Sequence, residues 1–492
     1  MRTAIYIPLG ALATVLVVTT FHAFELDRFF VPKELALHLT ALGAGFAAMR
    51  LSRFERVDVF LALYLLVSAV SAVFATNPWL AMRAVAISAS SALLFWGGRT
   101  IAEAGYGPTL IRGLALAVIA AAATSLLQTY GVDAELFSEQ RAPGGTLGNR
   151  NFVAHVAAFG FPLLLFTALR ARRYWLWSAG AALVVASLVL TRSRAAWLAF
   201  GAVVVVSIVT MRREHWRRFG GMVVLSAVAV AAVLVIPNAL RWRSDNPYLE
   251  TMRRVADYGG GSGRGRLVQY QHSLLMAARH PLLGAGPGNW AVAYPAFASR
   301  TDPSMNDATP GMTYNPWPSS DWIANVSERG ITATVLLALV FLSLALRRDP
   351  MCLAMIAGVV VAGMFDAVLL LAVPAVIVWP ALGACGAAGS QPADFSREPG
   401  GLRARRSTLV LVIIMSLLGG ARSAAQLVAM HTYTTRSDRT SLAQAARIDP
   451  GNFRLQLRLA RGGKGRCEHA RAAHALYPHA QVARGLSGGC GE

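Results

Sequence analysis

The sequence predicts an all-α, polytopic transmembrane protein, and three observations carry that reading. The 492 residues have a mean hydropathy of +0.48 and only 14% charged residues, well off the balance of a soluble chain of this size. Apolar runs near 20 residues recur from the first residues to about position 421, each long enough to cross ~30 Å of hydrocarbon. The runs are continuous in Ala, Leu and Val and do not alternate as barrel strands would, so each span closes its own backbone hydrogen bonds as a helix.

In chain order the runs cover 4–24, 34–50, 57–75, 80–98, 109–130, 152–170, 174–191, 194–211, 219–237, 323–346, 351–366, 368–388 and 407–423, about thirteen spans by the length rule. Asp366, Pro374 and Pro380 interrupt 351–388, which reads as two short spans or as one long kinked span. The first run is a retained span, because Phe21 to Phe30 is bulky and charged and offers no small-x-small cleavage site.

Basic clusters set the orientation. Arg50, Arg53 and Arg56; Arg170, Arg172 and Arg173; Arg212, Arg213, Arg217 and Arg218; Arg347 and Arg348; and Arg403, Arg405 and Arg406 all fall on one side when the spans alternate. The positive-inside rule makes that side the cytoplasm, with the N-terminus cytoplasmic and the C-terminal tail outside. The chain divides into a membrane domain, 1–423, which includes the loop 238–322, and a helical tail, 424–492. The net charge of +21 is scattered over membrane-flanking loops without interleaved aromatics, which excludes a nucleic-acid surface. Cys352 and Cys385 fall in apolar spans as small buried hydrophobes, while Cys467 and Cys490 share the outward tail, where a disulfide is expected.

The outward loop 131–151 ends in "GGTLGNRN", where Gly144, Gly145 and Gly148 permit tight turns and Asn149 and Asn151 supply amide donors. The junction "TRSRAAW" leaves Arg192 and Arg194 at the membrane surface. Segment 238–322 is too long for a plain connection. Within it Leu267, Tyr270, Leu274 and Ala278 recur at helical spacing, Pro281 stops that helix, and Gly284, Gly286, Gly288 and Asn289 shape a turn. The tail reads as three short helices broken at "DPGN", "GGKG" and Pro478, and resembles about one and a half tetratricopeptide repeats, too little to bury a core alone.

Several chemistries are missing. The Asp-x-Asp pattern of a metal-dependent glycosyltransferase is absent, "GAGPGN" at 284–289 lacks the Lys and Ser/Thr of a phosphate loop, and the spans carry almost no central carboxylate for ion coupling. No metal or cofactor is expected. An outward set of cations remains: Arg192, Arg194, Arg264 and Arg266, with Lys33 and Arg83. Forked guanidinium donors suit the phosphate oxygens of a lipid-linked diphosphate, although any one of them also suits a headgroup to which it snorkels.

The stretches "GTLGNRNFVA" (145–154), "LTRSRAAW" (190–197), "GRLVQYQHSLLMAARHPLLGAGPGNW" (265–290) and "PSSDWIANVSERG" (318–330) resemble, in order and spacing, the signature blocks of the bacterial O-antigen ligase and polymerase family. "FFVPKE" (29–34) and "FATNPW" (74–79) are similar to its N-terminal half, so the resemblance covers roughly residues 20–385. It implies cofactor-independent, metal-independent transfer of a glycan from undecaprenyl diphosphate to an acceptor hydroxyl on lipid A core, another glycan or a protein, at the periplasmic face of the bacterial inner membrane. By block position it puts Arg194 and Arg266 beside the lipid diphosphate, which agrees with the charge a diphosphate leaving group develops. Where the family carries His-Asn, this chain has Ser319 and Ser320, and a serine hydroxyl cannot act as a base near neutral pH. Asp321 and Glu328 are the nearest carboxylates, and His155 and His280 lie in other blocks. Two readings stay open: a transferase with a variant acceptor site, or a protein that binds a polyprenyl-linked glycan without transferring it.

Overall fold

A computed structural model describes residues 2–21, 27–51, 54–254, 259, 261–299, 301–306, 312–386, 399–479 and 490. Residues 22–24 of the first predicted span, residues 387–388 and Arg53 lie outside them. In chain order the helices are α1 (Arg2–Leu16), α2 (Asp27–Ala48), α3 (Arg56–Val73), α4 (Pro78–Glu103), α5 (Gly107–Thr129), α6 (Arg150–Arg170), α7 (Tyr174–Leu190), α8 (Arg194–Thr210) and α9 (Trp216–Val235). The loop adds α10 (Pro247–Arg253), α11 (Gly261–Arg279) and α12 (Trp290–Ala293), and the chain continues with α13 (Asp321–Ala345), α14 (Pro350–Phe365), α15 (Ala372–Gly386), α16 (Pro399–Thr435), α17 (Arg439–Ile448), α18 (Phe453–Ala460) and α19 (Arg466–Leu476). Met305 and Thr313 form an isolated antiparallel bridge, and no longer strand occurs among the described residues.

Among the described residues seven helices, α3, α4, α5, α6, α9, α13 and α16, are long and apolar enough to cross a membrane. The sequence reading expects about thirteen; the difference lies in five shorter apolar helices and in α2, whose first two turns carry Asp27, Arg28, Lys33 and Glu34. The stretch 351–388 is two helices, α14 and α15, parted by a non-helical segment at 366–371. Both carboxylate oxygens of buried Asp321 take the N–H groups of Val368 and Leu369 at 2.9–3.1 Å and so hold that break in place. The expected boundary between 423 and 424 falls inside α16, which continues unbroken to Thr435.

Close helix packing relies on small residues, as expected where lipid cannot drive helices together. A Cβ on Gly383 of α15 would stand 2.0 Å from the Phe95 carbonyl oxygen of α4, and one on Gly98 would stand 2.2 Å from that of Pro380. At one end of the bundle the basic clusters meet: Arg218 donates to the Leu169 carbonyl at 2.7 Å, and Arg347 pairs with Glu55. There Asp58, fully buried, accepts from Trp96 Nε1 and from fully buried Arg99 at 2.9 and 2.8 Å. Removing Arg99 would leave the Asp58 carboxylate buried without its cation, a loss of about 3–5 kcal/mol, whereas Arg99 also has Glu103 at 3.3 Å and Glu55 at 4.0 Å.

The loops gather at the opposite end, together with the tail. The helix expected around 267–278 is α11, but its leucine stripe does not face inward: Leu267 and Leu274 are exposed, and between them and beyond, Gln269, Ser273, Met276 and Ala277 are buried. Hydrogen bonding explains this, because Gln269 reaches Ser304 and the Ser319 N–H, while Ser273 accepts from Trp290 Nε1 at 2.8 Å. In the tail, α17, α18 and α19 are separated at 449–452 and 461–465, and Cys467 and Cys490 are joined by a disulfide.

Candidate functional site

At the loop end the glycine turn enters the helix bundle. Beyond α11, Gly284, Gly286 and Gly288 take φ of +68°, +99° and +68°, a region open to glycine but costly for residues with a Cβ. They lie backbone to backbone against a kink in α13 at Gly330, φ +78°. Ala285 N–H donates to the Ser327 carbonyl at 3.0 Å, Gly286 N–H to that of Glu328 at 2.9 Å, and Ile331 N–H to that of Pro281 at 2.8 Å. A Cβ on Gly284 would stand 2.2 Å from the Glu328 carbonyl carbon, so glycine is needed for both conformation and approach. The buried Glu328 carboxylate accepts the N–H groups of Gly288 at 2.9 Å and Trp290 at 3.1 Å. Its charge anchors the turn. Asn289 pairs in both directions with the Asn77 main chain, at 2.7 and 3.1 Å, tying the turn to the start of α4.

The tail docks on the same corner. Asn77 Nδ2 donates to the Gly451 carbonyl at 3.1 Å, Trp79 Nε1 to Asp449 at 2.5 Å, and Tyr477 Oη to the Ala291 carbonyl at 2.9 Å. Beneath it lies a cavity of ≈ 440 Å³, with walls from α2, α4, the loop and the tail. Arg83 reaches this cavity, yet its guanidinium already grips buried Glu34, with Nε to Oε1 and Oε2 at 2.8 and 3.0 Å. Lys33 is buried and caps the end of α1, donating to the Val15 and Val17 carbonyls at 2.9 and 2.6 Å. Two of the expected phosphate-binding cations are therefore engaged inside the protein.

The remaining cations lie on a different face, and neither Arg194 nor Arg266 lines that cavity. Arg192 sits at φ +56° in the α7–α8 junction, held by Thr251 Oγ1 at 2.9 Å and Glu250 at 3.6 Å. It shares the Trp242 ring with Arg150, the two guanidiniums being 4.8 and 5.0 Å from the centroid. Arg194, the first residue of α8, donates to the Arg254 carbonyl at 2.8 Å. Arg264 is exposed and Arg266 half-buried in the first turns of α11. Asn149 caps α6 by accepting the Asn151 N–H at 3.0 Å, and Gly148 (φ +73°) lets that corner close on Phe29.

One turn beyond Arg266, Tyr270 donates to the Ser319 and Met364 carbonyls, at 2.6 and 2.8 Å. It thus joins the start of the last signature block to the end of α14. Ser320 Oγ donates to the Gly363 carbonyl at 2.9 Å and caps α13, so Ser320 also serves this joint. Two residues past Met364, Asp366 is partly exposed, its side chain 14% accessible, and stands 3.9 Å from Nδ1 of His155. The His155 side chain is 2% accessible and neither ring nitrogen has a hydrogen-bond partner. The charges of Asp366 and Arg266 both act on this imidazole, and Asp366 follows closely on Gly363 and Met364, whose carbonyls meet Ser320 Oγ and Tyr270 Oη. The sequence named His155 and noted Asp366 only as an interruption; a carboxylate at a helix break beside a signature block was the available sign. Nothing in the sequence pointed to Trp242 or Arg150.

Beneath Ser319, Gln269 leads through Ser304 to Asp302, which accepts from Tyr294 Oη at 2.7 Å and meets His272 at 2.6 Å. Burial opposes ionisation of Asp302, but these bonds and the Ser304 N–H hold its carboxyl below the usual range. Buried Tyr294 is pushed upward. Among the described residues no group of His, Cys, Asp and Glu could hold a metal ion.

Residues 179–316 match the family model described as O-antigen ligase, a window containing all four outward arginines and the glycine turn and ending just before Ser319. No curated protein matches the chain.

Proposed function

From the O-antigen ligase domain at residues 179–316, which puts the chain in the O-antigen ligase and polymerase family, we propose that this protein transfers a glycan from undecaprenyl diphosphate to an acceptor hydroxyl at the periplasmic face of a bacterial inner membrane. The observation that carries the reading is the partly exposed Asp366 carboxylate, 3.9 Å from His155 and two residues past Met364, whose carbonyl shares the Tyr270 hydroxyl with that of Ser319 one turn beyond Arg266. Arg266, with Arg194, Arg192 and Arg264 along the same loop end, neutralises the diphosphate as it leaves. The acceptor oxygen bonds to the anomeric carbon, the bond from that carbon to the phosphate oxygen breaks, and undecaprenyl diphosphate departs with the electron pair. The acceptor proton goes to the Asp366 carboxylate, since Ser319 cannot take it. His155, 3.9 Å from Asp366, supplies a buried imidazole next to that carboxylate. Lys33 and Arg83 have no part in this grip, and Asp321 and Glu328 act as architecture.

The gathering of the basic clusters at the far end supports a cytoplasmic N-terminus and a periplasmic tail. Serine in place of the family histidine is the observation that favours the second reading, binding without transfer. Purified protein in nanodiscs, given a polyprenyl-diphosphate oligosaccharide and either lipid A core or a second glycan, separates the two readings. Transfer that persists with chelator and is lost in Arg266→Ala and Asp366→Asn supports the proposal; tight binding with no product on either acceptor supports the alternative.

A further inference from the structure

The ≈ 440 Å³ cavity under the tail has no role in the transfer step just described, and its walls are unusual for a membrane protein. Asp27, Glu34 and Asp449 face Arg83, Arg422 and Arg454, and the charges act on one another across the space. Aromatic rings stand among them: Trp79, with Arg422 over its face at 5.3 Å, and Phe453 stacked on Tyr477 at 4.6 Å. With Glu328, carboxylates outnumber guanidiniums on the walls by four to three; Arg83 already holds Glu34, and Arg422 already donates to Gln426 and the Trp79 carbonyl at 3.0 Å each. A phosphate entering this space would meet carboxylates, and a prenyl chain would match the apolar wall residues Phe30, Val31, Leu80 and Ile87 but bring hydrocarbon against the charged ones. A neutral sugar meets neither obstacle: its hydroxyls find donors and acceptors on the walls, and its apolar ring faces find Trp79 and Phe453. The volume falls within the range of small-ligand sites, and the tail closes it with Asp449, Phe453 and Tyr477.

We infer that this cavity is a saccharide-binding site, roofed by the C-terminal tail, for a neutral, hydroxyl-rich segment of glycan. It adjoins the transfer site: Trp317 forms part of its wall, packed edge-on against Phe30 at 5.1 Å, and Ser319 lies two residues further on. The segment belongs either to the donor chain or to the acceptor. The assignment of the segment rests on the proposed transfer, while saccharide binding in the cavity is tested separately from it.

The test is equilibrium binding of the full chain in nanodiscs to a printed panel of soluble neutral and acidic bacterial oligosaccharides, free of lipid and diphosphate. Binding of neutral members is expected, with at least a tenfold loss in Arg454→Gln and in Asp27→Asn, unchanged melting, and no loss in Arg266→Ala. Loss of transfer in Arg266→Ala with sugar binding intact keeps the two proposals separate. Pre-loading with a polyprenyl-diphosphate oligosaccharide distinguishes the sources: competition marks the donor glycan, and unaffected binding marks the acceptor. A panel in which nothing binds, in which only acidic members bind, or whose binding ignores both cavity variants overturns the inference.

Discussion

Charges at the tail-covered corner are answered by buried partners inside the protein, whereas those on the arginine face are answered by loop residues, Arg192 by Thr251 and Glu250 and Arg194 by the Arg254 carbonyl, or stay exposed, as Arg264 does. At the corner Glu328 spends both oxygens on the N–H groups of Gly288 and Trp290, and Asn77 and Asn289 exchange main-chain bonds. On the arginine face Arg264 is exposed, Asp366 is partly exposed and the nitrogens of His155 have no hydrogen-bond partner. Buried polar groups in folded proteins are normally satisfied, so a region that leaves one open is a candidate for work and a region that closes every one is a candidate for architecture.

The largest effect that would break this contrast is expected at Asp366. Asp366→Asn should lower glycan transfer by about 10²–10⁴-fold, the usual range for losing a general base, while melting stays unchanged, because Asn can still accept the Ala367 N–H at Oδ1. A stability loss without a rate loss would move Asp366 into the architectural class. The reverse pattern is expected at Glu328→Gln, where weakening charge-assisted bonds to two N–H groups should destabilise the fold by about 1.5–3 kcal/mol, read by thermal melting in detergent. Donor binding per folded molecule should be preserved.

A smaller effect sharpens the boundary between the regions. Asp302 holds the loop under Ser319, and its carboxyl lies below the ordinary value of 3.8. A depressed carboxyl contributes its stabilisation in full above that value and loses it as pH falls through the lower native one. The protection factor for hydrogen exchange in 269–304, the rate of the unstructured amide relative to the observed one at the same pH, should be flat from neutral pH to mild acid and fall only below pH 3.8, and Asp302→Asn should flatten that acid step. A fall already present near neutral pH would mean that another group holds the loop.

Helix content and the gathering of loops at one end of the bundle were legible in the sequence because apolar length and arginine placement are local signals. The break between α14 and α15 was visible as Asp366 and two prolines, but the partner that stabilises it, Asp321, is 45 residues away from Asp366 in the chain, and spacing does not reveal such a bond. The same limit applies to cations. Lys33 and Arg83 have the composition of phosphate ligands, and only coordinates show that carbonyls at the end of α1 and the Glu34 carboxylate hold them. α11 misled for a related reason: its apolar stripe is real, yet Gln269 and Ser273 turn the other face inward through hydrogen bonds.

The central claim is that the outward guanidiniums, and not the inward cations, hold the lipid diphosphate. Equilibrium binding of undecaprenyl diphosphate to the protein in nanodiscs tests it directly. Arg266→Ala and Arg194→Ala should each weaken binding by about ten- to a hundredfold, the worth of a charge-assisted bond, and Lys33→Met should bind as the unmodified protein does. Undiminished binding in both arginine variants, with loss in Lys33→Met, would contradict the account.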